Sequence, residues 1–205
     1  MTKIKICGLR RDADIDYVNE AMPDYIGFIL HFPKSHRNVL PETAAAMKKR
    51  LDPKIKAVVV FVNKPLETVT AAAAQIGLDV IQLHGQEDDD YIAALRQQTD
   101  LPIWKAFKVR TADDLAAAER STADAVLLDN GYGTGKAFDW TLAAAFTRPF
   151  FLAGGLTPEI LPDAIQTLHP ALVDVSSGVE TDGIKDRSKI LAAVCAARLK
   201  PEKEA

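Results

Sequence analysis

A chain of 205 residues has enough material for one domain with a substantial core and too little for two. Its net charge of −3 creates no global field for nucleic acid or an anionic membrane, so any anionic ligand must be held by local features. Two cysteines, Cys7 and Cys195, stand far apart with no Cys or His at metal-ligand spacing, which argues against a disulfide framework or a structural zinc. The chain opens directly into Ile4-Lys5-Ile6-Cys7-Gly8, and no apolar run is long enough to span a bilayer; a reducing cytoplasm is the expected location.

Short β-branched or apolar runs recur along the chain, each followed by an amphipathic helical stretch. They are Lys3–Ile6, Tyr25–Ile29, Lys56–Val62, Asp79–Leu83, Ile103–Phe107, Ala125–Leu128, Phe150–Leu152 and Leu172–Val175. Their starts lie roughly 20 to 30 residues apart, the length of a compact βα unit. Eight such units predict an α/β fold, a single (β/α)8 TIM barrel over residues 1–199, with 200–205 as a frayed tail. Strands as continuously apolar as Ala57-Val58-Val59-Val60-Phe61-Val62 suit a parallel sheet buried on both faces. Among the helices, Pro65–Ile76 carries proline in its first turn, Thr111 is placed to cap Thr111–Glu119, and Thr157-Pro158-Glu159 is expected to open the helix after the seventh strand. Cys195, in the Ala-rich terminal helix, is expected in the core. A doubly wound open sheet would place G-x-G-x-x-G after the first strand, but here that strand ends in Cys7-Gly8-Leu9-Arg10. The paired glycines follow the sixth, seventh and eighth strands instead.

In such barrels the active site lies at the C-terminal ends of the strands, with phosphate near the last two. The segments Ala153-Gly154-Gly155-Leu156 and Ser176-Ser177-Gly178 permit close backbone approach to a phosphate dianion. Gly133 and Gly135, in the Gly131–Lys136 loop, are candidates to close over the same group; tight βα turns alone would also explain these glycines. Cys7, ending the first strand, is either a small buried hydrophobe or a thiolate base. Asp129, ending the sixth, either caps a turn or donates a proton from a raised pKa. Gln82 and His84 close the fourth strand and are candidates to support a substrate. Arg37, in the long loop after the second strand, suits bidentate grip of a substrate carboxylate, with His31, Lys34 and His36 as weaker candidates.

Taken in order, these rim segments resemble the phosphoribosylanthranilate isomerase family. The matching stretches are Lys5-Ile6-Cys7-Gly8, Gly27-Phe28, Ser35-His36-Arg37, Val60-Phe61-Val62-Asn63, Gln82-Leu83-His84-Gly85, Leu127-Leu128-Asp129, Gly133-Thr134-Gly135-Lys136 running into Phe138-Asp139-Trp140, Leu152-Ala153-Gly154-Gly155-Leu156, Ser176-Ser177-Gly178-Val179-Glu180 and Gly183-Ile184-Lys185-Asp186. They span nearly the whole chain. His36 stands where proline is frequent in the family, a departure that leaves Arg37 in place. The resemblance implies an Amadori rearrangement of N-(5-phosphoribosyl)anthranilate in tryptophan biosynthesis, without metal or organic cofactor. It also implies Cys7 as general base, Asp129 as general acid, Arg37 as the anthranilate-carboxylate contact and the glycine loops as the phosphate cradle.

Two alternatives stand beside it. One is another phosphate-binding barrel enzyme: a histidine-pathway sugar isomerase, whose paired aspartates and half-barrel repeat are not evident here, or indole-glycerol-phosphate synthase, for which only Lys105 offers a match. The other is a phosphosugar-binding module without catalysis, against which the presence of both Cys7 and Asp129 speaks. The expected partner is the small phosphosugar-anthranilate substrate, with no nucleic acid or membrane, and a monomer is preferred over a homodimer.

Overall fold

The computed structural model describes residues 2–129 and 143–199. In chain order these form β1 (Lys3–Cys7), α1 (Asp12–Ala21), β2 (Tyr25–Leu30), α2 (Pro41–Arg50), β3 (Lys56–Phe61), α3 (Leu66–Ile76), β4 (Val80–Leu83), α4 (Asp89–Arg96), β5 (Ile103–Lys108), α5 (Ala112–Arg120), β6 (Ala125–Asp129), β7 (Phe150–Ala153), α6 (Leu161–Leu168), β8 (Leu172–Val175) and α7 (Arg187–Arg198). All neighbouring barrel strands pair in parallel, from β1 through β8 and back down to β2. Pairing of Lys5, Ile6 and Cys7 with Tyr25, Ile26 and Gly27 closes the ring. The predicted barrel is thus formed, and each predicted strand agrees with the observed one to within a residue at either end. Two short pieces were not anticipated: Asn38–Val39 lies along β2, and Glu180–Thr181 pairs antiparallel with Ile184–Lys185 after β8. The tail 200–205 and the Gly131–Lys136 loop lie outside the described residues.

A parallel barrel buries both faces of each strand, so alternate residues feed two separate apolar layers. Outward-facing Ile4, Phe28, Phe61, Ile81, Leu128 and Val173 pack beneath the helices. Inward-facing Val58, Val80, Trp104 and Leu172 fill the N-terminal end of the barrel. The Trp104 ring meets Tyr25 edge-on at 4.9 Å and Phe151 at 4.7 Å, an arrangement favoured by the ring quadrupoles. Truncating Trp104 to alanine would cost about 3–5 kcal/mol, as for other large core deletions. With that end plugged, the cavity of the barrel lies towards the C-terminal ends of the strands.

Helix starts follow local chemistry. Thr111 caps α5 as expected: its hydroxyl accepts from Asp114 N at 3.2 Å, and Asp114 in turn accepts from the Arg110 and Thr111 amides. At α1 the fully buried Asp14 carboxylate gathers the amides of Arg10 and Arg11 and the Arg11 guanidinium. Two expectations fail. α6 begins at Leu161, after a turn in which the Thr157 carbonyl accepts from the Ile160 and Leu161 amides; Pro162, which has no amide hydrogen, occupies the first helical turn instead. Cys195 is exposed, because α7 buries the face carrying Ile190, Ala193, Val194 and Ala197, and position 195 lies off that face. Among the described residues, no helix is long and apolar enough to cross a membrane.

Candidate active site

The open end of the barrel holds a cavity of about 590 Å³. Strand alternation decides what faces it: Cys7 from β1, Gln82 from β4, Asp129 from β6, Ala153 from β7 and Asp174 from β8 all project inward and line it. His84, Arg37, Gly154, Gly155 and Ser177 complete the part of the wall predicted from sequence, and His36 joins them. Gly133 and Gly135 lie outside the described residues. Gly178 follows Ser177 in the turn after β8. A Cβ there would fall 1.9 Å from the Leu156 carbonyl oxygen, so its hydrogen side chain serves the close approach of the loops after β7 and β8.

Cys7 and Asp129 face one space from strands that are not neighbours: β8 and β7 separate them on one side, β2 to β5 on the other. The thiol is buried but not sealed, 7% exposed and on the cavity wall. Burial pushes its pKa above the ordinary thiol value, while the neighbouring Lys5 pulls the other way. Asp129 is oriented by β4. The Gln82 side-chain nitrogen lies 3.3 Å from His84 Nδ1, and His84 Nε2 lies 3.1 Å from Asp129 Oδ2, so the ring is held between the two side chains.

Arg37 reaches the cavity from the loop after β2, held against Glu180. Nε and Nη2 donate to the two Glu180 oxygens at 2.6 Å each. Glu180 also accepts from the buried Lys185 ammonium at 2.7 Å, and Lys185 donates to the Ser176 carbonyl at 2.8 Å. Burial raises the Glu180 carboxyl pKa, but the Arg37 and Lys185 contacts outweigh it and hold the group at about 2. The arginine fork therefore enters the site already paired, with one carboxylate shared between two cations. Gly8 makes its path possible: a Cβ at Gly8 would sit 2.4 Å from Arg37 Cδ.

At the other side, Gly154 and Gly155 have φ of +90° and +69°, a left-handed turn that suits glycine and directs backbone towards the cavity. Ser177 begins a short 3₁₀ turn after β8, and the Ser176 hydroxyl donates to the Cys7 carbonyl at 3.1 Å, tying that turn to the end of β1. Lys105 takes no part: its ammonium donates to the Gly85 carbonyl at 2.7 Å and approaches Glu87 at 3.3 Å, away from the main cavity. Sequence reasoning missed Lys5, Asp174, Glu180 and Lys185, which supply most of the buried charge around Cys7.

Residues 4–196 match the family model described as N-(5'-phosphoribosyl)anthranilate (PRA) isomerase. The chain belongs to this isomerase family. It is 46% identical over 193 residues to the N-(5'-phosphoribosyl)anthranilate isomerase of Clostridium kluyveri, covering 93% of this chain and 94% of that protein. A crystal structure of phosphoribosyl anthranilate isomerase in complex with reduced 1-(o-carboxyphenylamino)-1-deoxyribulose 5-phosphate superposes with a TM-score of 0.85 at 33% identity, covering 96% and 98% of the two chains. Monomers generated from the dimeric isomerase of Thermotoga maritima superpose equally well, with a TM-score of 0.85 at 35% identity and the same coverage. Membership makes the chain an enzyme, an aldose–ketose isomerase of tryptophan biosynthesis.

Proposed function

We propose that the isomerase converts N-(5'-phosphoribosyl)anthranilate to 1-(2-carboxyphenylamino)-1-deoxyribulose 5-phosphate with Cys7 as general base and Asp129 as general acid. The supporting observation is that a thiol and a carboxyl group, carried by non-adjacent strands, line the same cavity. An aminoaldose cannot isomerise until its ring opens. Asp129 protonates the ring oxygen, the bond from that oxygen to C1 breaks, and the nitrogen lone pair forms a C1 iminium. The iminium acidifies the C2 proton. The Cys7 thiolate removes it, and the electron pair moves into C1=C2 to leave a neutral enolamine. C1 then gains a proton, the C2 hydroxyl loses one, and the ketose forms; Asp129 regains its proton and Cys7 returns to thiolate. Each proton transfer contributes on the order of 10²–10⁴-fold.

The rest of the cavity fits the two ends of such a substrate. Arg37 is the proposed partner of the anthranilate carboxylate, and Gly154, Gly155, Ser177 and Gly178 of the phosphate, with Gly133 and Gly135 as further candidates. Anchors at both ends hold the pentose between base and acid, which converts binding into orientation. His84, held by Gln82, keeps the Asp129 carboxyl turned to the sugar. We further propose one domain over residues 1–199, a cytoplasmic location, consistent with two free thiols, and a monomeric state, since among the described residues the large exposed apolar side chains Leu40, Ile160, Ile184 and Leu199 come from separate segments.

The test is a fluorescence assay that makes the aminosugar in situ from anthranilate and phosphoribosyl pyrophosphate and follows its loss. Turnover that disappears in Cys7→Ala and Asp129→Asn supports the assignment. A protein that binds the reduced ketose analogue and never turns over is instead a phosphosugar-binding module.

A further inference from the structure

Lys5 is fully buried, and it points into the barrel immediately below Cys7. Its ammonium donates to Asp174 Oδ2 at 2.7 Å, a pair set by the register of β1 against β8, where Lys5 lies opposite Asp174. A buried ion pair kept for stability alone repays its desolvation only when its remaining polar valences are satisfied. Among the described residues, Asp174 Oδ1 is buried with no hydrogen-bond partner, and Asp174 lines the cavity. The pair is under-bonded on the carboxylate side, while the ammonium keeps donors beyond the one given to Oδ2.

What stands next to the ammonium is the Cys7 sulfur. A Cβ built on Gly27 would fall 2.8 Å from Cys7 Sγ and 3.0 Å from Lys5 Cε, so both side chains crowd the same small space on β2. Any residue but glycine there would force them apart. We infer that Lys5 is the counter-ion of the Cys7 thiolate, a positioning residue that lets a buried thiol ionise, with Gly27 providing the room for the contact. The inference rests on Cys7 acting as the base.

The surrounding charges agree. Asp174 faces the pair from β8, Arg37 from the loop after β2, and Glu180 and Lys185 from the segment after β8; His36, His84, Lys108 and Asp129 face the same cavity. Burial lowers the affinity of Lys5 for its proton, but Asp174 and Cys7 outweigh it and the ammonium is retained. On the thiol, burial is the largest influence, and Lys5 is the strongest group opposing it, ahead of Asp174 acting in the other direction. An opposite charge at this range moves a pKa by roughly one to three units.

The experiment titrates the thiolate ultraviolet absorbance of Cys7 in a Cys195→Ala background, which removes the exposed second thiol. It compares the parent with Lys5→Met and with Lys5→Met/Asp174→Asn. The single variant strands a buried carboxylate and risks misfolding; the double variant removes both charges and keeps the interior neutral. The expected result in the double variant is a midpoint at least one pH unit higher, about tenfold less thiolate at a fixed pH, and a fall in kcat/KM of similar size. A double variant that titrates at the parent midpoint overturns the inference, because Lys5 then does no more than neutralise Asp174. A raised midpoint with unchanged kcat/KM upholds the thiolate–ammonium pair and removes Cys7 from its role as base.

Discussion

His84 Nε2 lies 3.1 Å from Asp129 Oδ2, and the opposite ring nitrogen lies 3.3 Å from the Gln82 side-chain nitrogen. The ring is therefore held at both nitrogens and turns Nε2 to the carboxyl group proposed to protonate the sugar ring oxygen. Its task is orientation, since a small misplacement of a reacting group costs up to about a hundredfold.

His84→Ala is expected to lower kcat about tenfold to a hundredfold while leaving binding of the reduced ketose analogue nearly unchanged. His84→Gln, which keeps a donor near the same place, should recover much of the loss. Steady-state kinetics of the two variants beside the parent decide the point, and parental kcat in the alanine variant would remove His84 from the site.

Arg37 grips Glu180 in a fork-to-fork pair, so its guanidinium is held rigid before substrate arrives. Arg37→Ala should mainly raise KM, by about 10- to 100-fold, the range of a lost hydrogen bond to a charged group. Arg37→Lys should fail to restore it, because an ammonium has no planar fork. An unchanged KM in Arg37→Ala would mean the carboxylate is held elsewhere. Glu180→Gln should also raise KM, and should destabilise the fold by about 3 kcal/mol because it breaks a buried pair.

The same carboxylate predicts an acid limit to stability. Glu180 is held at about 2, below the ordinary value of 4.5. A depressed carboxyl pKa contributes stability above the unfolded value and loses it as pH falls towards the folded one. The stability gap between the parent and Glu180→Gln should thus be full at pH 7, shrink below about 4.5 and be nearly gone near 2. Urea unfolding of both proteins across this range checks it, and a gap independent of pH would contradict it.

A buried thiol with a raised pKa paired with a carboxyl acid sets the shape of the rate profile. The competent form, thiolate with protonated carboxyl, is the minor one of its charge state whenever the carboxyl ionises before the thiol. Its fraction stays constant between the two ionisations and falls outside them. kcat/KM should therefore be flat through neutral pH and decline below the carboxyl ionisation and above the thiol ionisation. A tenfold rise per pH unit across the neutral range would show that the acid stays protonated throughout. In Lys5→Met/Asp174→Asn the plateau should drop and the alkaline limb move up together.

Much of this site could be read in the chain, for reasons that differ residue by residue. The eight runs are legible because parallel strands buried on both faces are mostly apolar, as in Ala57–Phe61, and Cys7, Gln82 and Asp129 are legible because they stand at or next to the ends of such runs. Lys5 and Asp174 carry no local signal: their pairing depends on the β1–β8 register across 169 residues, which no local pattern encodes. Glu180 and Lys185 fall in stretches matched to the family, but their contact with Arg37 was not legible for a similar reason, since a short hairpin after β8 brings them to the Arg37 loop. Thr157 and Cys195 misled because helix signals mark a region without marking its first turn or its buried face.

The central claim is that Cys7 and Asp129 move protons on a bound sugar. The most direct measurement is kcat of Cys7→Ala and Asp129→Asn alongside their affinity for reduced 1-(2-carboxyphenylamino)-1-deoxyribulose 5-phosphate. Each variant should lose on the order of 10²–10⁴-fold in kcat and bind the analogue within a few-fold of the parent. Parental turnover in either variant, or analogue binding lost in proportion to rate, would contradict it.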